Sequence, residues 1–389
     1  MVISHGTSIV SALPALPKLN AEAAVLMDGH SGFLLAYKNK DTKIFCPMAN
    51  EMMTLFLAVE KGSFSSNVTI SKNAANSYGP LLYLDAGEIL SLEDLIGALM
   101  LRTAYDGLNA VAEHIGGTVE NFVAMMNARA LELGMKNTTF INPTGAYDPG
   151  NVSTAGDLAL LLKKALANPS FKAMMSVQFK PLDRDTGVQL VVNQNQLLFT
   201  QSEEVTGGKC IISGPYSAVT LAEKNNLDLV SLVLRSNNDS VYFDSSTILK
   251  YGFDNFRRDI LVRKGEKITD VDIDQQQVNL VAGETVYYVF PAGDIHISRI
   301  QFGLTPEIRL PLTKLTVAGI ARYEFKDGTF MDVNLYPDKD YAAPRNLLSI
   351  LWEKINANQD IFVLIIISLL LELIILTRKM IRRIRLRHH

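Results

Sequence analysis

Reactive side chains are sparse in this chain, and the most conspicuous pair opens a helix. The stretch "CPMANEMMTLFLAVEKG", residues 46–62, has Pro47 where a helix begins and Met52, Met53, Leu55, Phe56, Ala58 and Val59 at helical spacing. Its first turn carries Met48 and Glu51, a thioether and a carboxylate three residues apart on one face. A thioether cannot be deprotonated into a nucleophile. The two cysteines, Cys46 and Cys210, are too few for a disulfide framework and lack metal-ligand spacing. Two of the six histidines end the chain, and the rest form no i,i+4 pair, so neither a metal nor a cofactor is implied. His114, in "AEHIGG", reads as the structural end of a helix.

The elements that must position these groups form a mixed α and β pattern. "AEAAVLMDGHSGFLLAYKNK" alternates and turns at Gly29 and Gly32 like two paired strands, and the Pro47 helix follows. "LSLEDLIGALMLRTAYDGLNAVAEHIGG" is apolar at helical period, with Ser91 and Asp94 as a capping box and Gly116 and Gly117 as a stop. "TVENFVAMMNARALELGM" predicts a helix ending at Gly134, and "STAGDLALLLKKALANP" another, capped by Ser153 and closed by Pro169. Strands return from Val188 to Leu234. Helices enclosed by strands indicate an α+β domain around an antiparallel sheet. After "YGFDNF" only short strands follow. "ETVYYVF" and "AGIARYEFKDGTFMDVNLY", the latter turning at Asp327-Gly328, predict a small all-β domain over 258–340.

Residues 361–377, "IFVLIIISLLLELIILT", hold one charge and are just long enough to span a hydrocarbon core of about 30 Å. Trp352 precedes them, and Arg378, Lys379, Arg382, Arg383, Arg385 and Arg387 follow, which predicts a transmembrane helix with a cytoplasmic tail at 378–389 and an extracytoplasmic body. Residues 341–360 read as a linker. Residues 1–18 read as a leader remnant or an N-terminal extension, because they lack a basic start and a sustained apolar run although Val10 to Ala12 suit a signal-peptidase site. Glu372 inside the span reads as a carboxyl that stays protonated or snorkels, with a partner helix or Lys379 as the alternatives. Without the last twelve residues the chain has 31 basic against 40 acidic groups, a net charge of −9, which argues against nucleic acid as a partner.

Several stretches carry a resemblance: "AEAAVLMDGHSG", "MTLFLAVEKG", "AVAEHIGG", "FINPTG" followed by "STAGDLALLL", and "YGFDNF". Over about residues 19–340 the chain resembles the low-molecular-mass penicillin-binding proteins, the serine D-alanyl-D-alanine carboxypeptidases of peptidase family S11. The resemblance implies a transpeptidase domain of the penicillin-binding-protein and β-lactamase fold over 19–257, then the small β domain and the membrane anchor. It also implies catalysis by three motifs. A serine in Ser-x-x-Lys attacks the D-Ala-D-Ala carbonyl, its lysine takes the proton, a Ser-x-Asn element supports transfer, and Lys-Thr-Gly holds the substrate carboxylate.

Aligned on the shared "MT", the first motif falls on Met48 and Glu51. The second falls on Thr103 and Tyr105, and the third on Lys209, Cys210 and Ile211. The arginine the family carries before "YGFDNF" corresponds to Tyr242. Beside the conservative Thr103, five replacements across three motifs imply a membrane-anchored pseudoenzyme that binds peptidoglycan stem peptide or an envelope protein, with Lys209, Thr103, Tyr105 and Tyr242 as the peptide-binding candidates. The alternatives are an active carboxypeptidase with a non-standard nucleophile and a non-enzymatic scaffold for another envelope protein. Glu51 and Lys209 are expected to face each other as an ion pair unless Glu51 points to solvent. Cys46 and Cys210 are expected to flank the cleft, as unpaired buried thiols in preference to a disulfide. Lys209 and Cys210, as strand neighbours, should point to opposite faces, which leaves the lysine badly placed to activate the thiol.

Overall fold

The computed structural model describes residues 14–200, 204–238, 240–291, 297–326, 328–343 and 354–385. Packing divides the chain into two units, Met1–Asp259 with Tyr287–His296, and Ile260–Val286 with Ile297–His389. The first unit contains β1 (Ala23–Asp28), β2 (Leu34–Lys38), α1 (Pro47–Lys61), β3 (Asn67–Thr69), α2 (Lys72–Ala75), β4 (Ile89–Ser91), α3 (Leu92–Leu101), α4 (Tyr105–Gly116), α5 (Val119–Glu132), α6 (Ala155–Leu166), α7 (Pro169–Met175), β5 (Phe179–Arg184), β6 (Gly187–Val192), β7 (Val205–Ile211), β8 (Tyr216–Lys224), β9 (Leu227–Ser236) and α8 (Ser240–Asn255).

Its main sheet is antiparallel, in the order β2-β1-β9-β8-β7. Both faces are buried, so β1 is apolar at nearly every position. Ala23, Val25 and Met27 face a core shared with α1, α3, α4 and α6, whereas Ala24 and Leu26 face a second core shared with α8. All residues of α1 from Pro47 to Val59 are buried. An amphipathic surface helix would leave one side in water, so α1 is a central helix of this unit.

The run expected as one helix from Leu90 to Gly117 is two. Arg102 (φ −144°, ψ 142°) and Ala104 (φ −153°, ψ 115°) are extended, and Thr103 lies between them. Periodicity does not register this break because tertiary bonds impose it. Tyr105 N–H donates to Pro80 O (2.7 Å), and the Asp106 carboxylate accepts from Leu82 N and Leu84 N (3.0 Å each), fixing the start of α4 against the 80–84 segment. Ser91 caps α3 as expected. The cap of α6 is Thr154, one residue beyond Ser153, because the Ser153 backbone pairs with Ile44. Pro169 closes α6 and also opens α7, and α8 covers "YGFDN"; the pattern reading identified neither helix.

The strands of the second unit, after β10 (Phe256–Val262), are β11 (Lys267–Ile273), β12 (Gln276–Ala282), β14 (Ile297–Leu304), β15 (Gly319–Phe325) and β16 (Phe330–Pro337), in one sheet of order β11-β12-β16-β15-β14. β15 and β16 form the expected antiparallel pair; Asp327 of its turn lies outside the described residues. β13 (Val286–Pro291), holding "YYVF", belongs instead with the first unit, where the Tyr288 and Phe33 rings meet edge to face at 5.6 Å. The last helix, α9 (Gln359–Arg385), contains a 23-residue stretch, Gln359–Ile381, long and apolar enough to cross a membrane, and no part of it is buried. Val10 to Ala12, Trp352 and Arg387 lie outside the described residues.

Candidate functional site

Three elements converge where the three motifs were placed: the first turn of α1, the break between α3 and α4, and strand β7. Pro47 starts α1 without needing a hydrogen-bond partner for its nitrogen, and the Cys46 side chain makes no capping bond. The "FINPTG" loop is strapped to the same helix. Asn50 Nδ2 donates to Asn142 O (2.7 Å) and Asn151 Oδ1 (2.9 Å), and Thr54 Oγ1 donates to Pro143 O (2.8 Å). Strand β7 approaches through Gly208, where an added Cβ would lie 2.3 Å from Asn195 Nδ2 and 2.4 Å from Val219 O. Only glycine lets the backbone come that close.

At the centre, Lys209 Nζ lies 3.0 Å from Glu51 Oε2, with the two side chains 0% and 1% exposed. Thr103 Oγ1 donates to both Glu51 oxygens (3.0 and 3.1 Å), and Lys209 Nζ also donates to Leu99 O (2.6 Å). Leu99 is in the last turn of α3, so its carbonyl has no partner within the helix and sits at the negative end of the helix dipole. The ammonium therefore satisfies a carboxylate and a helix end at once. Burial raises the Glu51 carboxyl above the ordinary carboxylate range, with Lys209 and then Thr103 pulling it back.

Of the remaining motif positions, Met48, Cys210 and Ile211 are closed to solvent and Tyr105 is partly so. Met48 is 0% exposed and packs in the α1 core, and Ile211 is buried as well. Tyr105 is partly buried against Gly79, and its phenol is pushed up to about 12 by burial and then by the Glu51 charge. Tyr242 donates to Gln194 O (2.8 Å), and its phenol is raised by burial and then by Cys210 beside it.

The expected ion pair is present, and Glu51 does not face solvent. The expected availability of Lys209 and Thr103 to a peptide is not seen, since both are buried and bonded to protein groups; Tyr105 and Tyr242 retain partial exposure. The expected placement of both cysteines beside one cleft needs correction. Cys46 belongs to the core on the α1 side of the sheet and Cys210 to the core on the α8 side; both are free thiols. Burial pushes the Cys46 thiol up to about 12 and the Cys210 thiol up to about 11. The roles of Thr103 and the Leu99 carbonyl as partners were not legible, because they depend on the break in the helix.

A match to the family model described as D-alanyl-D-alanine carboxypeptidase spans residues 10–238. The chain belongs to this family. A second match, to the C-terminal domain of penicillin-binding protein 5, covers residues 256–343. Among curated relatives, D-alanyl-D-alanine carboxypeptidase DacC of Escherichia coli K12 is 29% identical over 326 residues, covering 79% of this chain and 81% of its own length. The DacA enzyme of Haemophilus influenzae is 26% identical over 357 residues, covering 87% and 89%. Among solved structures, penicillin-binding protein 5 of Haemophilus influenzae aligns with a TM-score of 0.70 at 26% identity, covering 85% of this chain and 99% of its own. The fold is thus that of a penicillin-binding protein with its all-β C-terminal domain.

Within this cluster a hydroxyl meets a base at Thr103 Oγ1 and Glu51, where Thr103 is 3% and Glu51 1% exposed. Among the described residues, the partners of the Lys209 ammonium are Leu99 O and Glu51, and no serine is among them.

Proposed function

We propose that this chain is a membrane-anchored, non-hydrolytic member of the D-Ala-D-Ala carboxypeptidase family. One observation carries the reading. Where the family's mechanism needs a serine beside an amine in an open groove, this chain has the Met48 thioether and a solvent-excluded Glu51–Lys209–Thr103 cluster. No acyl-enzyme can form at a thioether, and a carboxylate that neutralises Lys209 removes the charge that would receive a substrate carboxylate. The two thiols do not substitute, since both are buried and held far from the thiolate range.

In this reading α9 spans the membrane, with the basic residues after Thr377 on the cytoplasmic side and the body outside. The role that remains is recognition of an envelope partner or a stem peptide through the partly exposed rim, to which Tyr105 and Tyr242 contribute. Incubation with a D-Ala-D-Ala-terminated tripeptide tests it. Release of D-alanine should stay at the buffer rate under conditions where the relative DacC turns over; release at an enzyme-like rate would remove the proposal.

A further inference from the structure

Three polar side chains interrupt the apolar stretch of α9 before its basic end: Ser368, Glu372 and Thr377. They are not equivalent. The Thr377 hydroxyl turns back on its own helix and bonds Leu373 O and Ile374 O, both at 2.9 Å. Ser368 and Glu372 make no hydrogen bond or ion pair with any described residue, and at i,i+4 they share one face. On the anchoring proposed above, Glu372 is about 17 Å along the axis from Ile361 and about 9 Å from Arg378, a depth where acyl chains offer no hydrogen bond. Lys379 is on the same face about 10 Å further on, and no ion pair joins the two.

The surroundings of these two groups have a defined spacing. Ile361, Ile365, Ser368, Glu372, Ile375 and Lys379 follow one another at alternating steps of four and three residues. That spacing keeps one helix face turned toward a parallel neighbour. Every copy of this chain inserts with the same orientation, so a second copy brings an identical carboxyl and hydroxyl to the same depth. In its acid form a carboxyl is its own complement, since one O–H and one C=O meet the C=O and O–H of its twin.

We propose that Glu372 and Ser368 form a self-complementary contact through which α9 pairs with α9 of a second copy. The proposal rests on the membrane-spanning reading and adds to it the partner of the anchor. Polar contacts between membrane helices have the strength to hold such a pair together.

The full chain, labelled at its N-terminus with donor or acceptor dye and reconstituted into phosphatidylglycerol and phosphatidylethanolamine vesicles, provides the test. Energy transfer should rise with protein-to-lipid ratio. Glu372→Ala should weaken association by about tenfold. Glu372→Gln should retain it, because a carboxamide also donates and accepts, and Leu370→Ala, on another face, should leave it unchanged. A wild-type chain that stays in the vesicles but shows no transfer, or a Glu372→Ala variant that pairs as well as wild type, overturns the proposal. So does a wild-type chain that shows transfer to a labelled spanning peptide bearing a lysine at matching depth but none to a second copy of itself, which would assign the site to a cationic helix. Extraction at alkaline pH separates the two readings: release of the chain defeats the anchor itself, whereas retention without pairing defeats the pairing alone.

Discussion

Glu51 and Lys209 are stable inside the protein only because each answers the other and both have neutral partners. Desolvating two ions costs several kcal/mol apiece, and attraction at 3.0 Å offsets that only with the remaining bonds in place, here Thr103 Oγ1 and Leu99 O. Removing one partner strands a buried charge. Glu51→Leu or Lys209→Met alone should each destabilise the protein by about 3–5 kcal/mol, while the double substitution should cost markedly less than either single one. Denaturant titration of the four proteins checks this; additive losses would show that the ions do not act as a pair. Thiol chemistry follows the same logic of burial. Cys46 and Cys210 should resist a maleimide in the folded protein and both react after unfolding without reductant. The pair was legible in the sequence, since Lys209 kept its motif position and Glu51 replaced another. The complete burial was not, because it depends on the surrounding core, of which Met48 and Ile211 are part.

Elements explain where pattern reading succeeded and where it failed. The buried strands β1, β8 and β9 and the capped helices α3 and α5 follow local signals that tertiary structure respects. The α3–α4 break does not, because apolar spacing continues through Arg102–Ala104 and only the Asp106 bonds to Leu82 and Leu84 reveal it. That 80–84 segment has its own clamp. Arg184 donates to Glu88 (2.7 and 2.8 Å) and to the carbonyls of Leu82 and Tyr83, and these bonds explain how Tyr83 is kept at φ 60°. The Arg184 hydrogen bonds hold the Glu88 carboxyl below its ordinary value of 4.5. Between the folded and unfolded pKa values the unfolded chain binds more protons, so the stabilisation is full above about pH 4.5 and is lost as pH falls through the folded value. Glu88→Gln should flatten the acid limb of the stability profile measured by thermal unfolding; an unchanged limb would assign it to other carboxylates.

Across the whole molecule, the scaffold and the motif positions point in different directions. A family match over residues 10–238 and a β domain over 256–343 describe a carboxypeptidase architecture kept nearly end to end. Function resides in the site, and a fold alone does not confer it. The sequence could not show that β13 belongs with the first unit, because β13 alternates like its neighbours and packing against Phe33 assigns it. At the motif positions the scaffold encloses an ion pair. The most direct test is the intact mass of the purified chain after prolonged incubation with benzylpenicillin. The mass should remain that of the unmodified protein, since the one hydroxyl of that cluster, Thr103, is buried and bonded to Glu51, and Met48 stands at the nucleophile position. A stoichiometric gain of one ring-opened penicillin, mapped to any serine of the first unit, would contradict the account.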